Sequence, residues 1–143
     1  GINEAIAYIS AHLTEEFGET DLAEISRLSP SGFSRSFRRH TGMGLSQYVN
    51  RLRINLACQL MMSEDAMSIT EVCFASGFRN ISNFNRQFLA QKGMTPSRFR
   101  ALLAENEAAA MAALSAEAKG RARQPALKLW LLIRRTTARS LSL

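Results

Sequence analysis

Four side chains in the stretch GFRNISNFNRQF, residues 77–88, have types and spacing suited to contacting nucleic-acid bases. Helical spacing puts the phenylalanines on one face and leaves Ile81, Ser82, Asn85 and Arg86 on the opposite face. Arginine can bond guanine O6 and N7 as a fork, asparagine can bond adenine N6 and N7, and isoleucine can pack on a thymine methyl. Taken alone, these residues would equally suit a solvated helix face.

The same arrangement occurs earlier in the chain. FSRSF…TGMGLSQY, residues 33–48, matches FNRQF…KGMTPSRF, residues 84–99, at a constant offset of 51. Upstream the offset becomes 50, so the second copy carries one inserted residue in its turn. The outward face of the first copy carries Ser31, Ser34, Arg35, Arg38 and Arg39. Recurrence of one pattern in two copies favours a binding function over a solvated face.

Each copy is expected to form a short helix, a tight turn and a longer helix. That is the layout of a helix-turn-helix, whose second helix can enter the major groove of DNA. The second helices are predicted over about 30–41 and 80–92. Outer arginines such as Arg38 and Arg39 suit phosphate oxygens, which position a protein on DNA without specifying sequence.

The elements that position these residues are predicted to be helical, because apolar residues recur every three or four positions. A first amphipathic helix is expected from Ile2 to Gly18, followed by a short helix over about 20–27. Ser29 suits the N-cap of the third helix, ahead of Pro30. A longer helix over about 45–62 is expected to present an apolar stripe of Leu45, Tyr48, Val49, Leu52, Leu56 and Leu60.

The second copy carries equivalent start and stop signals. Ser68 begins a Ser-x-x-Glu capping box, Asn80 is placed to cap the next helix, and Gly93 is placed to end it. Pro96 opens a last helix, which Ala/Glu-rich sequence would extend to Gly120. The expected fold class is therefore all-α, with about seven helices.

Composition and charge are consistent with one domain that binds a polyanion. The 143 residues are 46% hydrophobic, carry a formal charge of +6 and have a pI near 10.1. Residues 1–24 contain six acidic and no basic side chains, whereas residues 27–63 contain six arginines and no acids. An alternative is a helical protein-interaction module whose basic face docks an acidic partner.

Catalysis is not expected from this sequence. Cys58 and Cys73 lie inside apolar helical patterns, and with only His12 and His40 available there is no cluster at metal-ligand spacing. We therefore expect no enzyme activity, no cofactor and no metal. The longest nearly apolar run, residues 127–133, is far shorter than the ~20 residues of a membrane span, so a cytoplasmic protein is expected. Association with the nucleoid would follow from DNA binding.

The residues resemble the AraC/XylS family of transcription regulators. ITEVCFASGFRNISNFNRQFLAQKGMTPSRFR, residues 69–100, follows the family pattern over some 30 positions, and LSPSGFSRSFRRHTG, residues 28–42, follows it more loosely. The resemblance implies a DNA-binding domain over 1–103. Within it, two helix-turn-helix subdomains, about 19–42 and 68–93, are joined by a linker helix over about 45–62.

The resemblance also implies a function and its residues. Two recognition helices would enter successive major-groove segments, one helical turn or ~34 Å apart, and recognise specific sequences. Family members contact bases from the start and middle of each recognition helix, which corresponds here to Ser31, Ser34, Arg35, Ile81, Ser82, Asn85 and Arg86. The residues expected to contact phosphates are Arg38, Arg39 and Asn80.

The expected partners are an operator duplex and RNA polymerase. An N-terminal sensor or dimerisation domain is also expected, because full-length relatives usually carry such a domain. The chain is therefore expected to be a fragment rather than a short stand-alone regulator. Residues 104–143 form an Ala-rich helical extension and a basic tail. The alternatives for the tail are a partner-binding or membrane-surface helix and a poorly ordered or non-native extension.

Overall fold

A computed structural model describes residues 1–63 and 65–118 of the chain. The regular structure of those residues consists of α-helices, which confirms the expected fold class. In chain order the helices are α1 (Ile2–Ala11), α2 (Glu19–Ser26), α3 (Pro30–Thr41), α4 (Leu45–Met62), α5 (Ile69–Ala75), α6 (Ile81–Lys92) and α7 (Pro96–Ala118).

The helices pack around two hydrophobic clusters. The first unit comprises α1, α2 and α3, which pack with the first half of α4 around Ala5, Ile9, Leu22, Ala23, Phe33, Phe37 and Val49. The second unit comprises α5, α6 and the start of α7, which pack with the second half of α4 around Ile54, Ala57, Cys58, Val72, Cys73, Phe78, Phe84 and Phe88. Each copy of the repeat therefore forms its own core, with α4 shared between them.

The long helix α4 uses different faces for the two cores, which corrects the expected single apolar stripe. Val49 packs in the first core and Cys58 in the second, and both side chains are buried. Nine residues are two and a half helical turns, so these two side chains lie on opposite sides of α4. The expected stripe was incomplete because it assumed one buried face. Its residues other than Leu56 do pack against the cores, but Ile54 and Ala57, which it omitted, are fully buried.

The first helix is shorter than expected. α1 ends at Ala11 rather than continuing to Gly18, although Leu13 and Phe17 still pack against the first core. The backbone N–H of His12 and its ring Nδ1 both bond to the Tyr8 carbonyl, at 3.0 and 2.9 Å. Apolar periodicity indicates which side chains are buried, and it does not by itself show that they lie on a helix. The apolar spacing continues past the end of α1 because these two side chains reach the core from a non-helical segment.

The predicted helix boundaries around the two turns are confirmed. Ser29, Ser68 and Asn80 cap α3, α5 and α6 by accepting a backbone N–H three residues onward, at 3.1, 3.1 and 2.7 Å. α3 and α6 end at Gly42 and Gly93, whose φ values of 78° and 72° lie in the left-handed region that favours glycine. The two copies thus begin and end their longer helices by the same devices.

The last helix crosses the domain boundary expected at residue 103. α7 runs without a break from Pro96 to Ala118, so it continues past residue 103 into the Ala-rich extension. Residue 120, expected to end this helix, and the basic tail lie outside the described residues.

Candidate nucleic-acid interface

The first candidate recognition helix, α3, is anchored by an aromatic cluster. Phe33 and Phe37 are buried one helical turn apart, with ring centroids 5.4 Å from each other. Tyr48, at the start of α4, meets the Phe37 ring edge-on at a centroid distance of 5.1 Å. This packing fixes the rotation of α3 about its axis and therefore the direction of its polar face.

The second candidate recognition helix, α6, is anchored in the same way. Phe84 and Phe88 are fully buried with centroids 5.8 Å apart, and Phe99 of α7 meets Phe88 edge-on at 5.4 Å. Each aromatic contact repeats its counterpart in the first unit 51 residues earlier. Phe78 of the turn, itself buried, adds an edge contact to Phe84 at 5.3 Å.

The side chains predicted to contact DNA lie on the exposed faces of these two helices or at the N-cap of α6. The structure exposes every one of them: Ser31, Ser34, Arg35, Arg38, Arg39, Asn80, Ile81, Ser82, Asn85 and Arg86. Ile81 is a large apolar side chain with 37% of its surface exposed, next to polar neighbours on the same face. Exposure on a face opposite an aromatic anchor is the placement that a base-contacting side chain requires.

A groove of about 720 Å³ lies between α3, the first half of α4 and one residue of α6. Its lining includes Ser34 and Arg38 of α3, Asn50 and Arg53 of α4, and Asn83 of α6. Of the predicted contact residues, only Ser34 and Arg38 line this groove, so it does not bring predicted residues of the two units together. Arg35, Arg39 and the predicted residues of α6 lie outside the lining of this groove.

The start of α4 adds positive potential to the groove. Its N-cap, Gly44, offers no side-chain acceptor, so the first N–H groups of the helix are free of a side-chain cap. A Cβ built on Gly44 would lie 3.2 Å from a terminal nitrogen of Arg38, which places that guanidinium beside the helix start. Both the helix dipole and the guanidinium favour an anion at this end of the groove.

A side-chain network on α6 includes a residue that sequence reasoning missed. The Oδ1 atom of Asn83 accepts hydrogen bonds from Arg86 at 3.0 Å and from Gln87 at 3.4 Å. The spacing of three and four residues along a helix is the signal that could have identified this network. Asn83 thereby restrains the rotamer of a predicted base-contacting arginine.

Asn80 has two roles available to its one amide group. Its oxygen is occupied as the N-cap of α6, where it accepts the Asn83 backbone N–H at 2.7 Å. Its amide nitrogen is a donor, which is the type of group that contacts a phosphate oxygen. The cap fixes the side chain in place at the start of the helix.

Charged groups are unevenly distributed over the faces of the first unit, although Glu19 of α2 lines the same groove as Arg38. The last turn of α3 carries Arg38 and Arg39, while the first turns of α1 and α2 carry acidic side chains. Glu16, Asp21 and Glu24 line a separate shallow depression against α1 and α2. The positive field of the first unit is therefore directed from the α3 face.

The reactive side chain types do not form a cluster in the described residues. Cys58 and Cys73 are both buried, and burial raises the pKa of the Cys58 thiol to about 11. Among the residues that the structure describes, no three His, Cys, Asp or Glu side chains come together in a way that could hold a metal ion. In the same part of the chain, no helix is long and apolar enough to cross a membrane.

Comparison with known proteins agrees with this geometry. The model of a helix-turn-helix domain family matches residues 22–102. The HTH-type transcriptional regulator YobQ of Bacillus subtilis is 36% identical over 96 residues, which are 67% of this chain and 39% of YobQ. The transcriptional activator RhrA of Rhizobium meliloti is 38% identical over 89 residues, which are 62% of this chain and 28% of RhrA. The chain thus spans well under half the length of these relatives.

Solved structures extend the similarity to the whole two-unit arrangement. The DNA-binding domain of AdpA, in complex with a target DNA, superimposes with a TM-score of 0.66 at 31% identity, over 71% of this chain and 90% of that one. An AraC-type DNA-binding domain protein from Chromobacterium violaceum gives a TM-score of 0.63 at 28% identity, over 69% and 88%. With the family match spanning both units, the chain belongs to the helix-turn-helix domain family of the AraC type.

Proposed function

We propose that this chain is the sequence-specific DNA-binding part of a transcription regulator that inserts α3 and α6 into successive major-groove segments. One observation carries the proposal: two helices built alike expose polar faces opposite a buried pair of phenylalanines. Those faces include Arg35 and Arg86, which stand at equivalent positions 51 residues apart. The target DNA bound by the related AdpA domain supports the proposal by similarity.

The proposed base contacts come from the first half of each recognition helix. On α6, Asn85 and Arg86 suit adenine and guanine edges and Ile81 suits a thymine methyl, with Ser82 beside them. On α3, the proposed base contacts are Ser31, Ser34 and Arg35. Two of the three proposed contacts on α3 are serines, whose short side chains reach less far into the groove. We therefore expect stronger base preference in the half-site that α6 contacts than in the half-site that α3 contacts.

The proposed phosphate contacts lie around the base-contacting faces. Arg38 is supported by its place beside the uncapped start of α4, where a phosphate would meet both a guanidinium and free N–H groups. Arg39 is exposed at the end of α3, and Asn80 offers its amide nitrogen at the start of α6. These contacts would hold the two helices in register with the duplex.

The proposed domain covers residues 1–103, with residues 104–143 as an extension outside the DNA-contacting part. The regulators matched here are longer than this chain, which supports a further sensor or dimerisation domain and contact with RNA polymerase at a promoter. We place this activity in the cytoplasm, on the nucleoid. No enzyme activity is proposed, since the relatives named above are transcription regulators.

Selection of bound sequences from a random duplex pool, followed by titration of the selected duplex and scrambled DNA, tests the proposal. We expect a preferred two-part site and a steep fall in affinity with salt, because phosphate contacts release counterions. Binding to all sequences alike would overturn it. Tight binding to an acidic protein without duplex preference would instead support the interaction-module alternative.

Two arginine variants separate the proposed roles. Arg86→Ala should relax preference at one base pair and cost about 1–3 kcal/mol on the selected site, whereas Arg39→Ala should weaken binding to all duplexes and lower the salt slope by about 1. Arg27→Ala, an exposed arginine in the turn between α2 and α3, serves as the matched control. Equal loss of specificity in the two test variants would contradict the division of roles.

A further inference from the structure

The two units also contact each other outside the shared helix. Because the two cores lie on opposite sides of α4, a rotation of one unit about α4 would move its recognition helix relative to the other. The loop after α1, one arginine of α4 and the turn between α5 and α6 come together beside α4. We call these residues, Leu13, Glu15, Glu16, Phe17, Arg53, Gly77 and Arg79, the inter-unit junction.

Arg53 is the centre of the junction. Its Nε atom donates to the Leu13 carbonyl at 2.9 Å, and a terminal nitrogen donates to the Glu15 carbonyl at 3.1 Å. Its guanidinium also lies over the Phe17 ring, 5.8 Å from the centroid. One planar fork therefore joins α4 to the loop that follows α1, with a geometry that lysine cannot reproduce.

The backbone of Gly77, in the turn of the second unit, lies directly against the hydrogen bond between Arg53 and Leu13. A Cβ at residue 77 would lie 2.9 Å from both the Arg53 Nε atom and the Leu13 carbonyl oxygen. Its φ of 100° adds a second reason for glycine at this point of the turn. The backbone of the second turn is thus seated against the first unit and α4 at the same place.

Arg79 completes the junction from the side of the second unit. It forms an ion pair with Glu16, with its Nε atom 3.4 Å from the carboxylate. Arg79 is also the residue inserted in the second copy of the repeat, where the offset changes from 50 to 51. Both partners are largely exposed, at 61% and 78%, so the pair adds little to stability and can be altered without unfolding the chain.

We infer that Arg53, seated between the Leu13 carbonyl and the Gly77 backbone, is a positioning residue that sets the spacing of half-sites the protein accepts. The inference rests on the proposed function. By holding the units at one angle, the junction makes binding at both half-sites favourable only when their separation matches that angle. Loosening it should preserve each half-site interaction and broaden the range of accepted separations.

The test compares duplexes that carry the selected two-part site with its separation unchanged, or with one or two base pairs inserted or deleted. The full chain should discriminate sharply among them. Arg53→Lys keeps the charge but loses the fork, and should reduce that discrimination by about tenfold while binding to a single half-site changes by less than about twofold. Arg51→Ala, an exposed arginine on the same helix, should leave the spacing profile unchanged.

A charge exchange across the Arg79–Glu16 pair provides a second test that a folding defect cannot mimic. Glu16→Arg alone should broaden the spacing profile through like-charge repulsion, and adding Arg79→Glu should restore it. The spacing profile is the ratio of affinities for duplexes that differ in half-site separation. A loss of phosphate contact that lowers all these affinities equally therefore leaves the profile unchanged.

An unchanged spacing profile in Arg53→Lys, or failure of the double exchange to restore it, would overturn the inference. If Arg53→Lys lost affinity equally for single half-sites and for the two-part site, the inference would be overturned as well, because that is the result expected of a residue with only a structural role. Absence of any preferred sequence for the unaltered chain is a different result, which refutes the proposed function itself.

Discussion

Arg27 and Gly77 occupy the same place in the two turns, and both have a left-handed backbone. Their φ values are 59° and 100°, and Arg27 is the one residue other than glycine with positive φ in the described part of the chain. The residues stand 50 positions apart, each following a buried serine, Ser26 or Ser76. The first turn therefore places an arginine in a conformation for which the second uses glycine.

Replacing Arg27 by glycine should stabilise the protein. A left-handed residue with a Cβ costs roughly 1–2 kcal/mol, and the extra freedom that glycine gives the unfolded chain offsets about half of this. We expect the free energy of unfolding to rise by about 0.5–1 kcal/mol, measured by urea denaturation. Arg39→Gly, also an exposed arginine but within α3, is the control and should lower it by about 1 kcal/mol. A loss of stability in Arg27→Gly would contradict this account of the turn.

The repeat made much of the fold predictable from sequence. Glycine, proline and capping residues are local signals, so the bounds of α3, α4 and α6 and the buried phenylalanine pairs follow from them. The exposure of the predicted contact residues was predictable as well, because these residues lie on the helix faces opposite the buried phenylalanines. Whether each of them contacts a base or a phosphate remains a prediction.

The features that could not be predicted depend on tertiary contacts. α1 ends at Ala11, just before Leu13, whose carbonyl accepts a hydrogen bond from Arg53, 40 residues away in sequence. The double-sided burial of α4 requires knowing that two cores exist on opposite sides. The role of Gly77 in close backbone approach likewise appears only when the loop after α1 is seen against it.

Asn83 should support the specificity attributed to Arg86. Its Oδ1 atom accepts from Arg86 at 3.0 Å, so Asn83→Ala removes the bond that restrains the guanidinium. We expect preference at the Arg86 base pair to fall about threefold, as a lost side-chain hydrogen bond of about 0.5–1 kcal/mol implies. Competition titrations with duplexes altered at that base pair measure it. The double variant Asn83→Ala with Arg86→Ala should match Arg86→Ala alone, and additive losses would show that Asn83 acts independently.

Leu89 should be a site where affinity can be gained. It is 51% exposed on α6, and its counterpart 51 residues earlier is Arg38. Leu89→Arg would give the second unit the side chain that the first carries, so we expect tighter binding to all duplexes and a salt slope steeper by about 1. Leu114→Arg, at a 40% exposed leucine of α7, is the control for an added charge. A gain confined to one sequence would indicate a base contact instead.

Cys58 should make stability depend on pH in the alkaline range. Burial is the main cause that raises its thiol pKa from 9.0 to about 11 in the folded protein, against the smaller opposing effect of Lys92. Below pH 9 the thiol is protonated in both states, so its contribution is fully present. Between pH 9 and about 11 the unfolded chain loses this proton while the folded chain keeps it. The unfolded state then binds fewer protons, and the free energy of unfolding falls as pH rises.

Cys58→Ala isolates this contribution, because other alkaline groups titrate in both proteins. The upper limit of the difference is about 2–3 kcal/mol, at 1.36 kcal/mol per pKa unit. Urea denaturation at pH 8, 9, 10 and 11 should show a steeper decline for the unaltered chain than for the variant. The variant should be less stable at pH 8, because it leaves a small cavity, and the two curves should converge as pH rises. Parallel curves would mean that the folded thiol ionises as readily as the unfolded one.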